Sequence, residues 1–416
     1  MECSISIDKI GRQCVQRREH LYRYKDKVDI VSLAMVDDLL GIAPCGLESL
    51  ALNTFINVQI EMKKLRFHTP GKDGKTKCHK IHVGKKNEFC PTLLVHGTIM
   101  PSVESDTYLG DVICGDGSNQ LNIQKRVSKG LGKIAQIMSM IEKISLGKHY
   151  FKIAFLLRGS IFLSSILTNS EIWYKLSKPE LEDLEVLDRT LLKRILSVPD
   201  STPTSALYLE TGCMSITTTI KARRINYLQY LVKLPIEEML SKFFHCQWLD
   251  SCQHDWTRQV RKDLEDFNLP VDLAVIEKKS EFSWKTLVKR KAKEYELERL
   301  ILLKETKNKS KMKDLEYEKL LAQEYLTNLD VHLAKTVFRF RVRMERFNGN
   351  FRGQGPTAPC PLCGLHKDDQ HLSFKCLTVT KELDVTEEYE NLFKVHISIG
   401  MAKTCHEIVK LRTKEK

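Results

Sequence analysis

The sequence predicts an α+β chain that is mostly helical, on three observations. The first hundred residues alternate short apolar runs with Gly- and Asp-containing turns, the pattern of a small mixed layer of strands and helix. Beyond Asp116-Gly117, apolar residues recur at spacings of three and four, as they do along amphipathic helices. Between Pro270 and Gly349 neither glycine nor proline interrupts a Lys- and Glu-rich segment, so helix should run through it.

Taken in order, Val28 to Val36 reads as a buried strand and Leu47 to Lys64 as an amphipathic helix. His68 to Lys77 is a turn, Lys77 to Val83 a short strand, and Thr92 to Met100 and Thr107 to Ile113 further strands. Asn122 to Ile144 should bury Ile123, Val127, Leu131, Ile134, Ile137 and Ile141 and expose its lysines. The apolar stretch Phe151 to Leu167 is interrupted by Arg158, Gly159 and Ser160; it predicts a buried helix, too short and too polar to span a membrane. Leu181 to Leu196, closed by Pro199 and Pro203, and Ile220 to Leu231 give two more helices. The charged run after Pro270 (Lys285, Lys289, Lys293, Glu294, Glu298) predicts a solvated helical linker rather than a coiled coil, since no heptad is sustained.

At 416 residues, 42% hydrophobic and 29% charged, the chain has material for two to four folded units. A net charge of +13 points to polyanionic partners, nucleic acid or an acidic membrane surface. Met1 to Gln13 has no apolar run behind its charges, so no secretory signal is expected. Most of the 13 cysteines stand singly in apolar segments, which suits a reducing intracellular compartment, nucleus or cytoplasm. Neither a phosphate-cradling Gly loop, a nucleophile elbow nor a dinucleotide fingerprint is present.

Three clusters carry chemistry. Cys360-x2-Cys363-x7-His371-x4-Cys376 offers three thiolates and an imidazole at a spacing that suits tetrahedral Zn²⁺. Pro359, Pro361 and Gly364 supply turn chemistry around the first pair, and so short a segment needs the metal for folding energy. His366 reads as an exposed loop residue. Second, Asp37-Asp38 sits between apolar runs. It suits a Mg²⁺ site for phosphoryl chemistry, and equally an exposed β-turn. Third, Arg339, Arg341, Arg343, Arg346 and Arg352 interleave with Phe338, Phe340, Phe347 and Phe351, forks for phosphate beside rings that could stack on bases. The alternation over 338–343 fits a strand or a helix. Lys125, Arg126, Lys129 and Lys133 form a further basic face, and Arg223 with Arg224 another.

Together these stretches resemble the carboxy-terminal half of a non-LTR (LINE-type) retrotransposon reverse transcriptase with a CCHC zinc knuckle. Met35-Val36-Asp37-Asp38-Leu39-Leu40-Gly41-Ile42 resembles the Asp-Asp motif of the palm, with Asp37 as metal ligand and Asp38 as its partner. Leu50 to Leu65 followed by Lys77-Cys78 resembles the next palm motif, and Thr107-Tyr108-Leu109-Gly110 the turn leading to the thumb. Arg341-Val342-Arg343-Met344, Asn350-Phe351, Cys360 to Gly364 and Asp368 to Cys376 resemble the arginine-rich stretch and knuckle. The resemblance implies a partial palm (1–110), helical thumb (111–235), helical linker (236–337), arginine-rich arm with knuckle (338–380) and a tail (381–416). It implies an RNA-directed DNA polymerase with an RNA template, a DNA primer or target, Zn²⁺ at the knuckle and Mg²⁺ at the aspartates. Residues 1–27 hold neither the third palm carboxylate nor the nucleotide-binding motif, since Asp8 and Asp26 lack the right surroundings. The expectation is therefore a truncated reading frame or fragment, inactive as a polymerase by itself. The rival expectation is a non-enzymatic zinc-dependent RNA- or DNA-binding protein, and a third is a purely structural zinc.

Overall fold

The computed structural model describes residues 2–4, 31–35, 38–42, 46–62, 80–82, 90–95, 97–108, 110–143, 147–173, 176–250, 256–307, 312, 315–347, 350, 359–383, 385, 388–394 and 396–414. Three strands open the chain: β1 (Glu2–Ser4), β2 (Val31–Met35) and β3 (Asp38–Ile42), antiparallel in that order. Helix α1 (Gly46–Met62) follows. The side-chain amides of Asn53 and Asn57 both donate to the Leu94 carbonyl at 2.7 Å, tying α1 to β5 (Leu94–Val95). β4 (Lys80–Ile81) pairs in parallel with β7 (Ser102–Val103), and β5 pairs with β6 (Thr98–Ile99). The single strand expected over Thr107 to Ile113 is instead a hairpin, β8 (Ser105–Tyr108) with β9 (Asp111–Cys114). Gly110 between them has φ +92, a left-handed backbone that suits glycine and breaks the run. The turn expected at His68 to Lys77 lies outside the described residues.

The rest is helical. α2 (Gln120–Lys143) buries Ile123, Ile134, Ile137 and Ile141, as its spacing predicts, whereas Leu131 is exposed. Gly130 lets α2 approach closely: a Cβ there would meet Leu187 at 2.8 Å. α3 (Tyr150–Leu157) runs on through a π-helical turn (Arg158–Leu163) into Ser164–Ile166. Arg158 is thereby aimed inward, where Asp188 takes it bidentately at 2.6 and 2.7 Å. α4 (Lys178–Leu196) begins at a reciprocal capping box, Ser177 with Glu180, with Pro179 in its first turn. α5 (Thr204–Thr211), α6 (Ile216–Lys233), α7 (Met239–Asp250), α8 (Trp256–Asp266) and α9 (Leu273–Lys278) complete this half.

The expected solvated linker is not solvated on all sides. α10 (Glu281–Lys307) buries Trp284, Val288, Ala292, Glu296, Leu300 and Lys304, a stripe of every fourth residue facing α5 and α6. Its charge density masks this because the buried charges are satisfied. Glu296 accepts from Ser215 N and Thr218 Oγ1, and Lys304 donates to the Leu315 carbonyl at 2.7 Å. α10 spans two apolar cores: its first half joins α6–α9, and Leu300 joins the larger core of α2–α5 and the chain's end.

After α10 the chain crosses Gly212, where a Cβ would sit 2.2 Å from Ala322 N. α11 (Glu324–Asn328) and α12 (Val331–Arg341) follow, α12 capped by Asp330. The segment over 338–343, open to strand or helix on sequence, is the end of α12 and its first turn out. Two short helices, α13 (Gln370–Ser373) and α14 (Leu377–Glu382), flank the last cysteine of the cluster, and α15 (Ile399–Lys414) packs against α12. Among the described residues no helix is long and apolar enough to cross a membrane.

Candidate metal centre and nucleic-acid interface

Cys360, Cys363 and Cys376 bring their sulfurs together within 4.8 Å of one another. The Cys360 and Cys376 sulfurs are 3.9 Å apart and buried, close to the ~3.8 Å edge of a tetrahedron with ~2.3 Å zinc–sulfur bonds. A tight turn builds the pair. Cys360 N donates to the His366 carbonyl at 2.6 Å, Gly364 N to the Cys360 carbonyl at 2.8 Å, and Pro359 bridges Lys367. Backbone amides then point at the sulfurs. Those of Leu365 and His366 hold the Cys363 thiol below its ordinary pKa, while burial pushes Cys360 up against the amides of Cys363 and Leu362. Three soft donors in a nest of amides fit a thiophilic cation, so the cluster can bind a metal ion. His371 lies on α13, but its side chain is outside the described part of the structure. His366 is half-buried, and its contribution is the carbonyl that closes the turn.

The cluster is welded to the helical body. Gln370 donates to the Phe340 carbonyl and the Tyr389 hydroxyl, at 2.5 and 2.7 Å. Arg412 of α15 grips Asp368 bidentately at 2.6 and 3.0 Å, stacks 4.1 Å over Phe347 and donates to the Arg346 carbonyl. Phe374, Cys376 and Val379 belong to the larger apolar core.

The arginine-rich stretch is the end of a helix with its charges on several faces, and not all of its arginines are open to solvent. Arg341 is 3% exposed and is held by Glu210, whose carboxylate also accepts from the Tyr317 and Tyr325 hydroxyls. Arg339 is paired with Glu345 at 2.7 Å, and Arg343 is half-buried with φ +52. Phe338, Phe340 and Phe347 are fully buried and cannot stack on bases. The reason is the period. A helix turns 338, 340 and 341 toward the core, and only Arg346 of the described arginines there is exposed. Arg352 and Phe351 lie outside the described residues. On α2, Lys125 and Lys129 are exposed as predicted, with Lys125 near the β8–β9 turn (3.5 Å to the Gly110 carbonyl). Arg126 is buried against Asp111 and Arg224 against Asp263, so neither belongs to a solvent-facing basic patch.

The register of β2 with β3 pairs Met35 with Asp38 across a two-residue connection that holds Asp37. Asp37 and the Asp38 side chain lie outside the described part of the structure. Sequence reasoning missed Glu210 and the buried set Arg158, Asp188, Tyr208 and Glu185. Their signal was charge inside apolar helical stretches, which marks partners only once the fold is known. No family model matches the chain, and comparison with characterised proteins and with solved structures finds nothing similar.

Proposed function

We propose that this chain is the nucleic-acid-holding portion of a LINE-type reverse transcriptase, organised by zinc and inactive as a polymerase on its own. The observation that carries the reading is the three-sulfur centre docked onto a long basic helical body, which follows an Asp-Asp hairpin in the order the resemblance requires. Zinc would be held by Cys360, Cys363 and Cys376 with His371 as fourth ligand. Bound there, it supplies folding energy to a segment too short for a core of its own. Asp37 and Asp38 would bind Mg²⁺ only in a complete palm, with a third carboxylate that residues 1–27 do not offer. Exposed Lys125 and Lys129 would lie along the backbone of a primer–template duplex, RNA with DNA.

Burial of Phe338, Phe340 and Phe347 takes the rings away from bases, which favours holding by phosphate contacts over stacking and so supports backbone binding with little sequence preference. The experiment is a pair of assays on the zinc-loaded chain. Primer extension with Mg²⁺ should be blank, and incorporation that disappears in Asp37→Ala would overturn the inactive reading. Labelled single-stranded RNA should bind with a steep salt dependence that chelation abolishes; no binding at low salt would leave the metal a purely structural role.

A further inference from the structure

The faces that α12 and α15 turn away from the core carry a second cationic surface. α12 buries Ala334, Thr336, Val337, Phe338, Phe340 and Arg341, which leaves His332 exposed and Lys335 and Arg339 half-buried at successive turns. α15 buries Met401, Ala402, Cys405 and Ile408, which leaves Lys403, His406 and Lys410 outward at the same spacing. The helices pack on each other, and His406 feels the charge of Lys410 on its own helix and of His332 and Arg339 on the other, so the rows line one seam. Arg346, exposed to solvent, lies beside the end of α15, where Arg412 donates to its carbonyl.

Among the described residues, not every one of these cations has a carboxylate beside it. Among the described residues Lys335 has the Tyr150 hydroxyl and ring as partners, at 3.3 and 4.5 Å, and no carboxylate in salt-bridge range. Burial and the charge of Arg339 push its pKa down. Burial and the neighbouring cations do the same to His406. Lys403 and Arg346 are exposed. Among the described residues, the acids that act on these cations are Glu345, bonded to Arg339, Glu407, bonded to Lys410, and Glu142, which acts on Lys335 from α2. The Lys410–Glu407 pair is solvent-exposed on both sides, a contact that a phosphate can replace at little cost.

We infer that the α12–α15 seam binds the sugar–phosphate backbone of a nucleic-acid strand, with Lys335, Arg346, Lys403 and Lys410 as its phosphate contacts. Each row of three outward residues spans about 10 Å of helix, against a rise of ~3.4 Å per phosphate along one strand, so it can follow about three consecutive phosphates. The inference rests on the nucleic-acid reading above and joins one arginine of the arginine-rich stretch, Arg346, to lysines of α12 and α15. Strand chemistry is shared by RNA and DNA, and the test separates them.

The test measures fluorescence anisotropy of a labelled single-stranded RNA and of a labelled DNA duplex against zinc-loaded full chain, over a series of KCl concentrations. The seam variant carries Arg346→Gln, Lys403→Gln and Lys410→Gln. A control of equal charge carries Lys285→Gln, Lys289→Gln and Arg290→Gln on the exposed side of α10. Removing three phosphate-binding cations should lower the slope of log K against log salt by about 2 for single strands and about 3 for duplex, the control keeping the wild-type slope. The probe that wild type binds more tightly at matched salt identifies the preferred strand. Lys403→Glu alone, a change at one exposed position, should weaken binding in the same direction and guards against misfolding of the triple variant. Wild-type binding that the seam variant retains, or that falls equally in the control, overturns this inference and leaves the functional reading standing. A wild type that binds neither probe at low salt overturns both.

Discussion

Glu210 is the residue on which the end of the chain hangs. It lies inside α5, yet it takes Arg341, Tyr317 and Tyr325 together, and its carbonyl accepts from Gln323 N at 2.9 Å. Glu210→Gln leaves a buried guanidinium without its counter-charge, which should cost about 3–5 kcal/mol, read as a lower urea midpoint. Glu185 behaves oppositely. Burial pushes its pKa above the ordinary carboxylate value, although Thr217 and Tyr208 donate to it. The folded state therefore holds that proton more tightly than the unfolded chain does. Stability from this group rises as pH falls through the raised folded-state value, and levels off below the ordinary one. Glu185→Gln should be within about 1 kcal/mol of wild type at pH 7 and lose ground to it on acidification, followed by urea melts at stepped pH. A difference independent of pH would sink the assignment. At the metal centre, Cys363→Ser should release bound zinc, scored with a chromogenic chelator, and leave α2 to α9 folded by hydrogen exchange.

Helix positions were the most legible part of the fold. Lys178–Leu196 and Ile216–Lys233 contain the predicted spans and Gln120–Lys143 all but the last residue of its own, because apolar period and caps state a helix locally. What each helix packs against was not legible. α10 reads as a soluble rod from its lysines and glutamates, since a stripe of every fourth residue that includes Glu296 and Lys304 hides among charges. Leu300→Ala should cost about 2–5 kcal/mol, while Leu302→Ala two residues on should stay within about 0.5 kcal/mol, because Leu300 is buried and Leu302 is 64% exposed. Equal effects would return α10 to the linker reading. The arginine-rich stretch was only partly legible for the same reason. Composition announced cations and rings, but which face each takes depends on the helix period and on Glu210, far away in sequence.

For the molecule as a whole, the candidate metal centre was visible in the spacing of three cysteines, which the fold brings within 4.8 Å. Its integration was not, because Gln370 reaches Phe340 across 30 residues of sequence and Arg412 reaches Asp368 across 44. That integration changes what metal loss should do. A tethered knuckle would unfold alone. Here chelation should also loosen α12 and α15, giving faster amide exchange there while α7 to α9 stay protected, because those helices belong to the other core.

α10 has a further consequence. At 27 residues it is a rod about 40 Å long, gripped near one end by the smaller core and near the other by the larger. A rod clamped at both ends works as a ruler. It fixes the spacing between the α7–α9 body and the end that carries the candidate metal centre, so a partner touching both would have to span a set distance rather than draw them together.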